Sequence, residues 1–187
     1  MGLLSSIKQA IILRKQFKAS FKEQMKKETE YLQMSSLELS QLSNDELFSA
    51  IWARTENIVS KKDDSLDGFN SLNEKQRIFY AVNCLDMEVN NGGLCQFFVN
   101  SSYIVAPFVS EYMGIISATE HKKLYDTFIS KYQINTQDLS SFDCENIEVF
   151  QSQYERYPFD EFDDAFCELE PLQTYLIQYI KENIEAY

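Results

Sequence analysis

The chain has 187 residues, of which 44% are hydrophobic and 14% aromatic, and this composition excludes a disordered protein. Five glycines and three prolines are too few for a turn-rich all-β protein, and they predict an all-α fold, a single compact multi-helix bundle with an amphipathic N-terminal helix. The net charge of −12 is uneven, because residues 132–187 carry thirteen acidic against two basic residues; this disfavours direct binding to nucleic acid or to an anionic membrane.

Residues 3–31 have the pattern of a basic amphipathic helix, and we assign residues 1–41 to an N-terminal appendage and residues 42–187 to the main helical domain. Three roles for this helix stay open: packing on the domain or on a second copy in a homodimer, reversible binding to a membrane surface, and a flexible arm. The apolar side consists of Leu4, Ile7, Ile11, Phe17, Phe21 and Met25, and the lysines elsewhere on the helix are Lys8, Lys15, Lys18, Lys22 and Lys26.

Two capping-box patterns mark the next helices. Ser43-Asn-Asp-Glu46 predicts a helix that runs to about residue 59, with Leu47, Ile51 and Ile58 facing inward and Trp52 in the same core. Residues 61–68 are polar and end in glycine, which predicts a loop. Ser71-Leu-Asn-Glu74 is the second pattern, and it predicts the start of the central helix.

The central stretch, residues 88–102, combines two adjacent glycines with several amide side chains. Helical spacing leads into it, and Gly92 and Gly93 predict a break, since glycine adopts positive φ without steric cost. Gln96 and Asn100 then lie on one face of the restarting helix. One interpretation is a helical corner fixed by side-chain amides. The other is a polar pocket built from Glu88, Asn90, Asn91, Gln96 and Asn100.

The segment after the central stretch predicts two further helices. Pro107 suits the first turn of one helix, and Ser117-Ala-Thr-Glu120 predicts the cap of the next. His121 follows that cap beside two lysines, which predicts a solvated helix face. As the only histidine, it cannot complete a Ser-His-Asp triad or a two-histidine metal site.

The last third predicts three more elements. Residues 135–143 read as a polar connector, residues 145–157 as a helix that ends before Pro158, and Pro171 as the opening of a final helix. Between the prolines, one apolar stripe at helical spacing predicts a buried face. Its members are Phe159, Phe162, Phe166 and Leu169.

Carboxylates alternate with this stripe and are therefore expected to point outward. Charge repulsion among so many acids lowers stability unless a cationic partner relieves it, which favours a protein-binding surface over a merely solvated face. A third interpretation pairs Asp160 with Asp164, or Glu88 with its amides, in a carboxylate-based hydrolase or a cation site. We assign a predicted partner-binding acidic face to Glu155, Asp160, Glu161, Asp163, Asp164, Glu168 and Glu170.

The central stretch resembles the core signature of a bacterial domain of unknown function whose members include the DNA-mimic proteins. Similar segments run from about residue 42 to residue 187 and include Ile51-Trp52, Leu72-Asn73-Glu74 and residues 159–166. The resemblance implies an acidic helical regulator, without enzymatic activity, that masks a basic DNA-binding protein or transcription factor. It also implies that residues 1–41 are dispensable to the fold. The signature residues, for which we predict a structural role, are Glu88, Asn90, Asn91, Gly92, Gly93, Gln96, Phe97, Asn100 and Ser101.

The four cysteines bear on location and metal binding. Cys84, Cys95, Cys144 and Cys167 form no Cys-x-x-Cys pair, so we predict free buried thiols in a reducing cytoplasm and no structural zinc. No apolar run is long enough to span a bilayer. No cofactor, metal or catalytic residue is predicted. An immunity-type inhibitor of a toxin, which would use the same acidic surface, is the alternative function.

Overall fold

The computed structural model describes the backbone of residues 3–187 and the side chains of residues 13–15, 17, 18 and 21–187. In this part of the chain the regular structure is entirely helical, which confirms the all-α prediction. None of the described helices is both long and apolar enough to span a lipid bilayer. The α-helices are α1 (Leu3–Tyr31), α2 (Ser36–Ser40), α3 (Asn44–Val59), α4 (Ser65–Asn70), α5 (Glu74–Val99), α6 (Ala106–Ile115), α7 (Thr119–Tyr132), α8 (Ile147–Arg156), α9 (Phe159–Cys167) and α10 (Leu172–Glu182), with 3-10 turns at Ser101–Val105, Ser140–Phe142 and Ile184–Ala186.

The chain divides into two compact units after Arg54, inside α3, whereas the predicted boundary lies between residues 41 and 42. In the first unit the buried apolar side chains come from the end of α1, from α2 and from α3. The guanidinium of Arg54 ties this unit together by donating from Nε to the carbonyl of Tyr31 at 2.9 Å and from a terminal nitrogen to the carbonyl of Met34. Trp52 lies half-buried on α3 in the same unit.

The apolar stripe predicted on α1 is exposed wherever its side chains are described. Phe17 is 73% exposed, and its ring stacks on that of Phe21 at a centroid separation of 6.5 Å, with Met25 also exposed. The side chains predicted at Leu4, Ile7, Lys8 and Ile11 lie outside the described residues. The helix itself has the predicted bounds, while its role stays a prediction.

The second unit is built around α5, against which α6, α9 and α10 pack, while α7 packs on α6 and α9. Its core is rich in aromatic rings. The ring centroid of Phe98 on α5 lies 5.0 Å from that of Phe142 and 6.3 Å from that of Phe159 on α9. The ring centroids of Phe128 on α7 and Phe162 are 5.3 Å apart. The stripe predicted on α9 is therefore buried at its three phenylalanines, and only Leu169 stays half-exposed.

Of the three predicted helix caps, only the first is confirmed. The Ser43 hydroxyl accepts the amide of Glu46 at the start of α3. For α5 the Ser71 prediction is wrong: Asn73 and Gln76 form the capping box, each side chain accepting the other's backbone amide at 3.0 Å. The Asn73–Gln76 box lies two residues further along the chain and satisfies two amides that would otherwise lack partners at the helix start.

The Ser117 cap is also wrong. Ser117 has φ +65° and belongs to the end of α6, where Ala118 donates its amide to the carbonyl of Met113 at 2.9 Å. This is the hydrogen-bond pattern of a left-handed helix terminus, which uses the residue predicted to start the next helix. α7 then begins at Thr119, and Ala118 provides no side-chain cap.

Two predictions of solvated structure are wrong as well. Residues 61–68 are not entirely loop, because Asp64 accepts the amide of Asp67 and starts α4. His121 is only 2% exposed, and its ring packs edge-on against Phe166 at 5.1 Å and Tyr175 at 5.9 Å. The adjacent lysines misled the prediction, whereas His121, Tyr125 and Phe128 share one buried face of α7.

The four cysteines are all free thiols, as predicted, but they are not all buried. Cys84 and Cys95 lie inside the second unit. Cys144 is half-buried and Cys167 is exposed, so the prediction of buried thiols holds for two of the four. Burial raises the pKa of both Cys84 and Cys95 to about 12.

Candidate functional site

The helix α5 is interrupted where the sequence predicts, at the glycine pair. Gly93 has φ +83° and ψ 174°, a conformation reserved in practice for glycine. A Cβ atom on Gly92 would lie 2.7 Å from Cδ of Gln96, so a side chain at this position would displace the end of the Gln96 side chain. The chain resumes helical geometry at Leu94 and continues to Val99.

One carboxylate on the first half of α5 collects the polar side chains that follow the break. Oε2 of Glu88 accepts from Nε2 of Gln96 at 2.6 Å and from Nδ2 of Asn100 at 2.8 Å. Its other oxygen, Oε1, accepts the hydroxyl of Ser102 at 2.6 Å. These four residues form what we call the Glu88 cluster, which holds the two halves of α5 and the following turn in fixed relation.

The Glu88 cluster overlaps only partly with the predicted polar pocket. Asn90 turns away and donates to the carbonyl and the carboxylate of Asp86 at 2.8 and 2.9 Å. Asn91 and Ser101 are exposed, and Phe97 is buried in the core. Ser102 was not among the predicted residues, and only its position at the end of the same stretch could have suggested it. This geometry favours the corner interpretation over the pocket.

A groove of about 560 Å³ lies beside the turn that follows Asn100. It is walled by residues of α4, α6 and the connector after α7, and the side chains of the Glu88 cluster are not part of its lining. Among the described residues, no group of three or more His, Cys, Asp or Glu is arranged to hold a metal ion. The lining includes Asp63, Leu66, Ser101, Tyr103, Ile104 and Phe108.

The acidic helix α9 is fastened to the break in α5 through Asp163. Its Oδ1 accepts the backbone amide of Leu94, the first residue after the glycine pair, at 2.8 Å. A Cβ atom on Gly93 would lie 2.9 Å from Cγ of Asp163, so the glycine also makes room for this carboxyl. Burial raises the pKa of Asp163, the Leu94 amide opposes that rise, and the charges of Asp160 and Asp164 add to it.

The other predicted acids of the region point to solvent. Their chain segment, residues 143–170, contains ten carboxylates and a single base, Arg156. None of the predicted acids forms an ion pair with a lysine or arginine; the ion pairs found among residues with described side chains involve Glu30, Glu46 and Asp126 instead. The exposed members are Glu155, Asp160, Glu161, Asp164, Glu168 and Glu170, and we refer to them as the acidic face.

Two members of the acidic face have hydrogen bonds of their own. Asp160 accepts the phenol of Tyr154, and this bond is the main reason that the pKa of Tyr154 rises to about 12. Glu170 accepts the hydroxyl of Thr174 at 3.1 Å. The remaining four carboxylates, those of Glu155, Glu161, Asp164 and Glu168, are exposed and form no side-chain hydrogen bond or ion pair in the described part of the chain, although the charge of Lys131 interacts with that of Glu161.

Comparison with known proteins shows a family relationship. A family model described as DMP19-like protein matches residues 70–183, which is more than half of the chain. This range includes all of α5, the Glu88 cluster, the Asp163 contact and the acidic face. No curated protein and no solved structure matches the chain significantly.

Proposed function

Because the chain belongs to the DMP19-like protein family, we propose that it is a non-enzymatic regulator that uses its acidic face to mask a basic DNA-binding protein or transcription factor. In this proposal the exposed carboxylates of residues 155–170 stand in for DNA phosphates. The protein would work in the cytoplasm, bind no nucleic acid itself and require no cofactor.

The observation that carries the proposal is that no member of the acidic face forms an ion pair in the described part of the chain, where Lys131 interacts with Glu161 only at longer range. Acids in the first turn of a helix are favoured by the helix dipole, which accounts for Asp160 and Glu161 of α9. It does not account for the acids that continue past the end of that helix, such as Glu168 and Glu170. Repulsion among uncompensated charges lowers stability, and a cationic protein surface would relieve it.

The spacing of the carboxylates is compatible with phosphate mimicry. Asp160 and Asp164 are four residues apart on α9, and such side chains are neighbours, about 6 Å apart on the same helix face. Each strand of duplex DNA likewise presents a regular row of single negative charges, with one charge per roughly 3.4 Å of rise along the helix axis. The aromatic side of α9 faces the core, so the carboxylates are presented without loss of packing.

The test is a competition experiment. A partner is first captured from native cell lysate at low salt, and its DNA complex is then challenged with this protein in a gel-shift assay. We expect the protein to release the DNA, and we expect the affinity for the partner to fall steeply with salt, because exposed charges are screened beyond about 8 Å at physiological ionic strength. A partner that holds protein and DNA together with unchanged affinities would contradict mimicry, and a captured toxin would favour an immunity role.

A matched pair of charge-reversal variants tests the location of the site. The first replaces Glu155, Glu161, Asp164 and Glu168 by lysine, which leaves the Tyr154–Asp160 bond and the buried rings intact. The control also reverses four exposed acids of the second unit, and it avoids Asp64 because that residue caps α4. We expect only the first variant to lose partner binding. The control positions are Asp63, Asp67, Glu111 and Glu120.

A further inference from the structure

We infer that Asp163 is the residue that positions the acidic face, and not one of the charges that contact a partner. This inference rests on the function proposed above. It changes the role predicted for Asp163 from the sequence, where its place between Phe162 and Asp164 grouped it with the outward carboxylates.

The contacts of Asp163 are internal. Its Oδ1 accepts the Leu94 amide at 2.8 Å, and its carboxyl occupies the space that a side chain on Gly93 would need. It is half-buried, while its neighbours Glu161 and Asp164 are exposed. The glycine signature and the acidic helix are therefore parts of one arrangement, in which the break in α5 receives the carboxyl of α9.

This single polar contact complements the apolar packing of α9. Phe159, Phe162 and Phe166 bury one side of the helix and set its approximate rotation, but the hydrophobic effect is non-directional and still permits small rotations or shifts of the helix. A hydrogen bond requires both a distance and an angle. The Asp163–Leu94 bond therefore fixes the rotation and the axial position of α9, and with them the places at which Asp160, Glu161 and Asp164 emerge.

The environment of Asp163 does not favour its use as a presented charge. Burial and the neighbouring carboxylates disfavour its ionised form, and the Leu94 amide compensates only in part. A carboxylate meant for a partner would lie in solvent, as that of Asp164 does. The group that Asp163 contacts directly is the backbone amide of Leu94, the first residue after the glycine pair.

The experiment compares two substitutions that remove the same charge one residue apart, in the full chain. Asp163→Asn keeps an oxygen that can accept from Leu94, whereas Asp164→Asn removes an exposed charge that has no internal partner. Asp163→Ala removes both the charge and the acceptor. Binding to an oligo-arginine peptide is measured by calorimetry at low ionic strength, and hydrogen exchange of the Leu94 amide is measured in the same proteins.

We expect Asp164→Asn to weaken peptide binding several-fold and Asp163→Asn to weaken it clearly less, with the Leu94 amide still protected. We expect Asp163→Ala to lose that protection and to bind more weakly than Asp163→Asn, although both lack the same charge. Rescue of binding by the asparagine is the mark of a positioning role.

Equal losses of binding in Asp163→Asn and Asp164→Asn would overturn the inference, and this comparison does not depend on whether Asp163→Ala folds. An unprotected Leu94 amide in the wild-type protein would overturn it as well. The four-lysine variant of the acidic face tests the underlying function separately. If that variant binds the peptide as tightly as the wild type, the proposed function fails; if it does not bind while the two asparagine variants are equal, only the positioning role fails.

Discussion

At the residue scale, the Glu88 cluster concentrates three hydrogen bonds on one carboxylate. We predict that Gln96→Ala lowers the free energy of unfolding by about 1–3 kcal/mol, because it removes a charge-assisted bond and leaves part of a half-buried carboxylate unpaired. Urea unfolding monitored by circular dichroism measures the change. Asn91→Ala is the control, and since Asn91 is exposed we expect its effect to stay within about 0.5 kcal/mol.

A stable Gln96→Ala protein that loses partner binding would contradict the structural role of the cluster and move it to the functional site. If Gln96→Ala and Asn91→Ala lowered the free energy of unfolding equally, the signature residues would stabilise the fold through contacts other than those of the Glu88 carboxylate.

His121 gives a prediction about pH. Burial lowers its pKa below the ordinary value of 6.5, and its Nδ1 has no hydrogen-bond partner among the described residues. The unfolded chain therefore binds a proton at His121 more tightly than the folded chain does. The contribution of His121 to the free energy of unfolding is fully present above pH 6.5, and it is lost as the pH falls from 6.5 through the lower pKa of the folded chain. Urea midpoints of the wild type and of His121→Phe, compared across this range, measure the effect. We expect the variant to show the shallower decline, and parallel curves would contradict this assignment.

At the scale of the element, the break in α5 requires glycine at one position. We predict that Gly93→Ala lowers stability by about 1–3 kcal/mol from backbone strain, and by more if the Asp163 carboxyl is displaced. Gly114→Ala is the matched control in the last turn of α6, where the glycine does not have a positive φ and the added methyl would meet only the Lys122 side chain at 3.4 Å. There the same substitution is expected to raise stability by about 0.5–1 kcal/mol. Thermal unfolding shows whether each substitution lowers or raises stability. A Gly93→Ala protein with unchanged stability would contradict the requirement for glycine at this position.

The N-terminal helix gives a second prediction at this scale. Removing residues 1–25 deletes described side chains that are all exposed, so we expect little change in the unfolding temperature. Removing residues 1–40 also deletes the buried side chains of Tyr31 and Leu39 and the two backbone carbonyls to which Arg54 donates. We expect this larger deletion to lower the free energy of unfolding by about 2–5 kcal/mol. Thermal unfolding of both truncated chains tests this. Equal stability of the two would support the boundary predicted between residues 41 and 42.

The helices were predictable from sequence where their determinants are local. Apolar periodicity alone placed α1 and the buried stripe of α9, and the Ser43 cap depends on residues three apart. The predictions of the other two caps were wrong because other local structures form at the same places. These are the Asn73–Gln76 capping box at the start of α5 and the left-handed end of α6. The surroundings of His121 and Asp163 were not predictable for a different reason, since their partners are far along the chain. The bond between Leu94 and Asp163 joins residues 69 positions apart, and no spacing rule anticipates it.

At the scale of the whole molecule, the net charge of −12 predicts a stability that depends on salt. We expect the unfolding temperature to rise between about 0.01 and 0.15 M NaCl, because the screening length falls from about 30 to 8 Å and the mutual repulsion of the acids weakens. The control is the four-lysine variant of the acidic face, whose charge changes by +8, from −12 to −4. A smaller rise in that variant would locate the repulsion on the acidic face, and identical curves would contradict that location.

The division of the chain after Arg54 has a spectroscopic consequence. Trp52, the only tryptophan, lies on α3 within the first unit, while the Glu88 cluster and α9 belong to the second. Tryptophan emission therefore reports on the surroundings of one residue of α3, whereas far-ultraviolet dichroism averages over every helix. Unfolding curves from the two signals should coincide if the units melt as one cooperative system, and they should separate if each has its own transition. A single fluorophore in its natural position thus measures the cooperativity between the two units without any label.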